Sequence, residues 1–277
     1  MNNWIVGTLQ SAFDTWNEKL TEIWSLVTTT PQAFRGGEIW NTIVSINDGL
    51  KAFGYGLLVL FFAIGIFRSA SGFRDFQRPE HLLRHFIYFV LAKLGITYGM
   101  DLLVNIFDVC SGIVATAAGS IGGLTGASVA LPQEIADAIG DVGFLASIPL
   151  WLVTLLGSLM ITVLAFIMIL TVYSRLFKLY MYTAIAPIPL SSFAGEPTSN
   201  VGKNFLRSYA GVCLEGAIIA LACIIFSVMA SSSPAVDPSV SAVTAVWSYV
   251  AELIFNLLVL VGAVRMSDRI VKELLGL

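Results

Sequence analysis

Charge is what this chain has least of. Asp, Glu, Lys and Arg make up 12% of its 277 residues, whereas a soluble domain carries about 25%. So few charges cannot cover a water-facing surface. The net charge is −3, so no basic excess points to a nucleic-acid-binding domain. Three cysteines are present, Cys110, Cys213 and Cys223. An odd count without paired spacing gives no disulfide framework and assigns them to packing. The only two histidines are His81 and His85. Their spacing of four suits a shared metal, but Leu82 stands where the metallopeptidase pattern needs Glu, and there is no third His. They are expected at an interfacial helix end. The start, Met-Asn-Asn-Trp, has no basic segment and is not expected to be a cleaved signal.

What the chain has in excess is apolar sequence, at 57%. Uncharged runs occupy residues 52–67, 109–133, 142–174, 216–236 and 253–264. A helix needs about 20 apolar residues to cross the hydrocarbon core. The expectation is an all-α polytopic membrane protein with five spans, at residues 50–67, 82–109, 144–173, 209–229 and 243–264. Residues 1–47 would be amphipathic amino-terminal helices and 265–277 a tail. Two further apolar segments, 112–131 and 176–194, would be re-entrant or interfacial.

The basic residues choose the orientation, because cytoplasmic loops are enriched in Lys and Arg. Arg68, Arg74, Arg78 and Arg84 follow the first span. Arg175, Lys178, Lys203 and Arg207 follow the third, and Arg265, Arg269 and Lys272 follow the fifth. Five spans put these clusters on one side, with the amino terminus outside and the carboxyl terminus in the cytoplasm. Tryptophans gather at membrane interfaces, and all six fall on the expected outer side. The basic cluster of Arg68, Arg74, Arg78, Arg84, Lys203 and Arg207 can meet acidic partners, lipid headgroups or DNA, or simply set orientation.

Near the amino terminus, Leu9, Phe13, Trp16, Leu20, Ile23 and Val27 recur every three or four residues, opposite Asp14, Glu18, Lys19 and Glu22. That spacing predicts an amphipathic helix, lying on the bilayer or against a neighbouring subunit. Thr30 and Pro31 then offer a cap and first-turn proline for a second helix.

No enzyme chemistry is legible. Residues 195–204 superficially resemble a phosphate loop, but Pro197 occupies its glycine position and Asn204 follows Lys203 where Ser or Thr is required. No serine, cysteine or zinc centre is patterned elsewhere, so a non-enzyme without a cofactor is expected, with room for a bound phospholipid. The residues of interest are instead intramembrane charges: Lys93, Asp101 and Asp108 at spacings of eight and seven, then Glu215 and Glu252. Charges inside spans usually face a bundle interior or a watery cavity. They are candidates for a polar lining, or for pairing that locks the bundle. Gly95 and Gly99 form a small-xxx-small pair, and Gly119, Gly122, Gly123 and Gly126 crowd the next segment; such spacing permits close packing of helices. The second group is a candidate pore segment.

The most distinctive stretch runs from Tyr173 through Arg175 and Lys178 to Ala186-Pro187-Ile188-Pro189-Leu190. It resembles the TrbL-like family, including the sixth VirB component, of type IV secretion and conjugation machines. Its continuation, Gly202-Lys203-Asn204-Phe205-Leu206-Arg207-Ser208-Tyr209, is similar to small versions in mobile elements of Gram-positive bacteria. The resemblance implies a homo-oligomeric ring in the bacterial cytoplasmic membrane. That ring would work with other channel subunits and separate ATPases and pass a DNA–relaxase or protein substrate. A small-solute transporter and a scaffold without a translocation path are the alternatives.

Overall fold

The computed structural model describes residues 2–70, 79–119, 129–140, 142–230 and 241–277. Every regular element among the described residues is helical: α1 (Asn2–Thr28), α2 (Glu38–Ala70), α3 (Pro79–Thr97), α4 (Gly99–Gly119), α5 (Gln133–Gly140), α6 (Phe144–Ile185), α7 (Pro187–Ser191), α8 (Ser199–Ala230) and α9 (Ala242–Leu275). Among the described residues, five stretches are long and apolar enough to cross a membrane: Phe34–Arg68, Gly99–Thr116, Ser147–Ile185, Ser199–Val228 and Val243–Leu275. The chain is an all-α polytopic membrane protein.

The spans differ from expectation in their ends. Residues 82–109 do not form one helix: α3 ends at Thr97 and α4 begins at Gly99, with a bend at Tyr98. Leu190 packs against Gly99 at this bend: a Cβ there would stand 2.7 Å from Leu190 Cδ1. The helix of the first span, α2, begins at Glu38 and runs unbroken through residue 47. Pro31 does not start a helix. The Thr30 carbonyl accepts from the Ala33 and Phe34 amides, closing a turn. Left-handed backbone at Arg35, Gly36 and Gly37 then resets the direction before Glu38. At the other end, residues 265–275 are helical and continue α9. At about 1.5 Å per residue, the 42 residues of α6 extend about 63 Å, twice the roughly 30 Å hydrocarbon core. This one helix absorbs residues 176–185 of the segment expected to be re-entrant.

Two compact units are distinguishable. The first comprises Met1–Thr28, Val114–Tyr173 and Gly216–Ser267. Here the apolar stripe of α1 is buried inside the chain, Leu9 and Trp16 completely. A helix lying on the bilayer would instead leave that stripe on the surface. The α1 helix packs on α5. Asn17 fixes the chain entering α5: its Nδ2 donates to the Val129 carbonyl and its Oδ1 accepts the Val129 amide, both at 2.9 Å. The Tyr173 hydroxyl donates to Glu22 at 2.8 Å. The same carboxylate holds the Lys19 ammonium above its ordinary range. Trp4 and Trp151 rings meet at 5.9 Å.

The second unit comprises Thr29–Ile113, Ser174–Glu215 and Asp268–Leu277. The short α7 and the 3-10 turn after it, Ser192–Ala194, touch both α2 and α3. This unit holds the proline-containing motif and the buried cation of α6.

Candidate functional site

Prolines in a helical stretch leave carbonyls without donors. Pro187 has no N–H for the carbonyl four residues earlier, that of Thr183. A side chain replaces it: Asn47 of α2, 1% exposed, donates from Nδ2 to the Thr183 carbonyl at 2.7 Å. Tyr180, one turn earlier, donates its hydroxyl to the Pro31 carbonyl at 2.9 Å. The end of α6 is thus tied to both α2 and the turn preceding it.

Beyond that end, residues 187–195 fold back as a tight knuckle, and glycine accommodates it from several sides. A Cβ on Gly54 of α2 would stand 2.8 Å from the Pro187 carbonyl oxygen, and one on Gly65 would stand 3.3 Å from Gly195 Cα. On Gly195 itself, a Cβ would meet the Phe61 carbonyl at 2.6 Å. The Gly95 and Gly99 pair faces Leu190. The small-xxx-small spacing therefore receives the motif rather than a second long helix. The knuckle closes with hydroxyls: Ser192 Oγ accepts the Gly202 amide at 2.8 Å, and Thr198 donates to the Ser192 carbonyl at 2.8 Å. Arg84 of α3 forms an ion pair with Glu196.

Arg175 lies one to two turns before Tyr180 and is buried, 4% exposed. Its Nε donates to the Val212 carbonyl at 2.9 Å and one terminal nitrogen to the Cys213 carbonyl at 3.1 Å, both on α8. The buried carboxylate of Glu215 acts on it electrostatically. A guanidinium suits this place because its planar fork reaches two acceptors at once. Cys110 and Cys213 are buried free thiols in the same cluster as Tyr209. Lys178 pairs with Asp268 of α9 at 3.1 Å.

The other intramembrane charges are not gathered. Lys93 is on α3, Asp101 and Asp108 on α4, and Glu252 on α9; all four are exposed. The bend at Tyr98 falls between Lys93 and Asp101. None of the four forms an ion pair among the described residues. Among the basic residues, Arg68, Lys203 and Arg207 are exposed. Arg74 and Arg78 lie outside the described residues, as do Gly122, Gly123 and Gly126. Gly119 is the last residue of α4. His85 is buried in α3, and the described residues contain no group of three metal-ligating side chains.

Sequence reasoning singled out Pro187, Gly95, Gly99 and Arg84, and named Leu190 as part of the motif, but missed Asn47 and Gly54 beside Pro187, the packing of Leu190 on the Gly95 and Gly99 pair, and Glu196 as the partner of Arg84. One signal was available for Asn47. Pro187 requires that some donor reach the Thr183 carbonyl, and a side-chain amide is a natural source.

No curated protein and no solved structure matches this chain. The family described as TrbL/VirB6 plasmid conjugal transfer like protein matches residues 16–187. That is more than half the chain, and it includes Asn47, Gly54, the bend at Tyr98 and Arg175, and ends at Pro187. The continuation at residues 202–209 lies beyond it. On this match and its five apolar spans, the chain belongs to the TrbL/VirB6-like family and is a membrane component of a conjugal transfer, type IV secretion, apparatus.

Proposed function

We propose that this chain is the wall of the transfer channel: several copies surround an axis in the bacterial cytoplasmic membrane and pass the DNA–relaxase or protein substrate between them. The observation that carries this reading is Asp108. It lies at the middle of the Gly99–Thr116 span and is exposed, with no ion pair among the described residues. An Asp at the centre of a span costs about 2.5–3.5 kcal/mol against lipid. A neighbouring copy or a water-filled path removes that cost; lipid does not. Glu252, exposed inside Val243–Leu275, poses the same requirement.

In this reading the amino terminus is outside and α9 ends in the cytoplasm, with the basic clusters at the cytoplasmic face. The Trp4–Trp151 contact suits a shared outer interfacial level. The protein is not an enzyme, and separate ATPases and other channel subunits supply energy and continuity. The knuckle at residues 187–195 is a rigid seam that fixes α2, α3 and the end of α6 as one block.

The test is to place a cysteine at position 108, Asp108→Cys, and crosslink it during active transfer. The proposal expects the introduced thiol to crosslink to a second copy or to the substrate in transit. Reaction with neither, combined with quenching by lipid-borne probes, would sink it.

A further inference from the structure

Within the second unit, where the ends of α6, α8 and α9 meet, is a cavity of about 490 Å³. Its size falls in the range of small-ligand sites, about 300–1,000 Å³. Most of its wall is apolar, with Met181, Ile185, Val271 and the Leu277 side chain. Gly211 belongs to that wall, where an added Cβ would stand 3.3 Å from both Leu275 Cδ1 and Val271 Cγ1.

The charged groups of the cavity are concentrated in one place. Lys178 Nζ donates to Asp268 Oδ1 at 3.1 Å, and Lys272 Nζ to Asp268 Oδ2 at 2.8 Å. Two ammonium groups share the Asp268 carboxylate; the Glu215 carboxylate also acts on Lys272 but is opposed by the Arg175 guanidinium, so one positive charge remains unbalanced among these groups. Each ammonium carries three N–H groups and uses one on Asp268. The lysine side chains are 36% and 57% exposed, so their heads stay accessible at the rim.

We propose that this cavity binds one anionic phospholipid, with its phosphate on Lys178 and Lys272 and an acyl chain along the apolar wall. An amphiphile is the ligand that fits both halves of the site. A soluble anion leaves the apolar wall unused, and a neutral lipid leaves the net positive charge unmatched. The cavity is built on helices that cross a membrane, so its ligand is at hand, and basic pockets between such helices are a recognised way of holding anionic headgroups. Asp268 positions the two lysines side by side, at the expense of part of their charge. The inference does not depend on the ring or the channel.

The test uses the full chain purified in neutral detergent, with native mass spectrometry to count bound lipid. Phosphatidylglycerol and phosphatidylcholine of identical acyl chains are compared. One phosphatidylglycerol should bind per chain, on the order of tenfold more tightly than phosphatidylcholine. The Lys178→Gln/Lys272→Gln variant should lose that preference and keep its weak phosphatidylcholine binding. Asp268→Asn, which frees both lysines, should bind phosphatidylglycerol at least as well as the parent chain. Gly211→Leu, which fills the wall and spares the charges, should lose binding of both lipids. Equal binding of the two lipids by the parent chain would overturn the proposal without recourse to any variant. So would an undiminished preference in the double-lysine variant, or displacement of phosphatidylglycerol by millimolar inorganic phosphate.

Discussion

The Asn47 amide donates to the Thr183 carbonyl at 2.7 Å, the carbonyl that Pro187 deprives of its helical donor. One side chain on α2 thus completes the hydrogen bonding of α6 at the point where the proline motif begins. A buried carbonyl left without a donor costs about 1–3 kcal/mol. Asn47→Ala should lower stability by about that amount, read as a lower unfolding midpoint in detergent. Pro187→Ala restores an N–H, so in the Asn47→Ala background it should recover part of the loss, a coupling that a double-mutant cycle measures.

The knuckle also predicts a contrast between two neighbouring glycines of α2. A Cβ on Gly54 would stand 2.8 Å from a backbone oxygen of Pro187, whereas one on Gly56 meets nothing within 4 Å. Gly54→Ala should destabilise by about 1–3 kcal/mol, as overpacking does. Gly56→Ala should be neutral or slightly stabilising, since it improves helix propensity. Unfolding midpoints of the two variants, compared side by side, check this.

Arg175 is a buried cation whose two hydrogen bonds end on backbone carbonyls of α8. Removing it leaves Glu215 buried without the opposing charge that Arg175 provides. Breaking such an arrangement costs about 3–5 kcal/mol. Arg175→Ala should sharply reduce the amount of protein in the membrane, and Arg175→Lys should rescue poorly because an ammonium cannot reproduce the fork. Adding Glu215→Gln to Arg175→Ala should recover part of the loss, measured as folded protein extracted by mild detergent.

Asp108 separates function from folding. Its side chain is exposed and unpaired among the described residues, so Asp108→Asn should leave membrane insertion and unfolding midpoint unchanged. If the carboxylate faces the transfer path, the variant should reduce conjugal transfer by about tenfold, near 1.4 kcal/mol in effect. A mating assay beside a membrane-fraction immunoblot separates the two effects.

The class of the fold was legible because hydrophobic length depends on bilayer thickness, and five apolar stretches of sufficient length are plain in the sequence. Helix ends were harder to read, since they depend on contacts between distant residues. At the bend, Leu190 packs on Gly99 from 91 positions away, and no local pattern at residues 82–109 carries that information. The same holds for α1. Its stripe of Leu9, Phe13 and Trp16 announced an amphipathic helix, but periodicity is identical for a helix on lipid and one packed against its own chain. For the motif, Pro187 and Arg175 stood out because prolines and cations are conspicuous in apolar sequence. Asn47 and Gly54 did not, since their roles come from what approaches them.

The central claim is that the exposed charges of α4 and α9 face other copies or a water-filled path. Electron cryo-microscopy of the full chain in lipid nanodiscs tests it most directly. A closed ring of identical copies is expected, in which Asp108 and Glu252 point to a neighbour or to the axis. A monomer whose Asp108 carboxylate points into the lipid would contradict it.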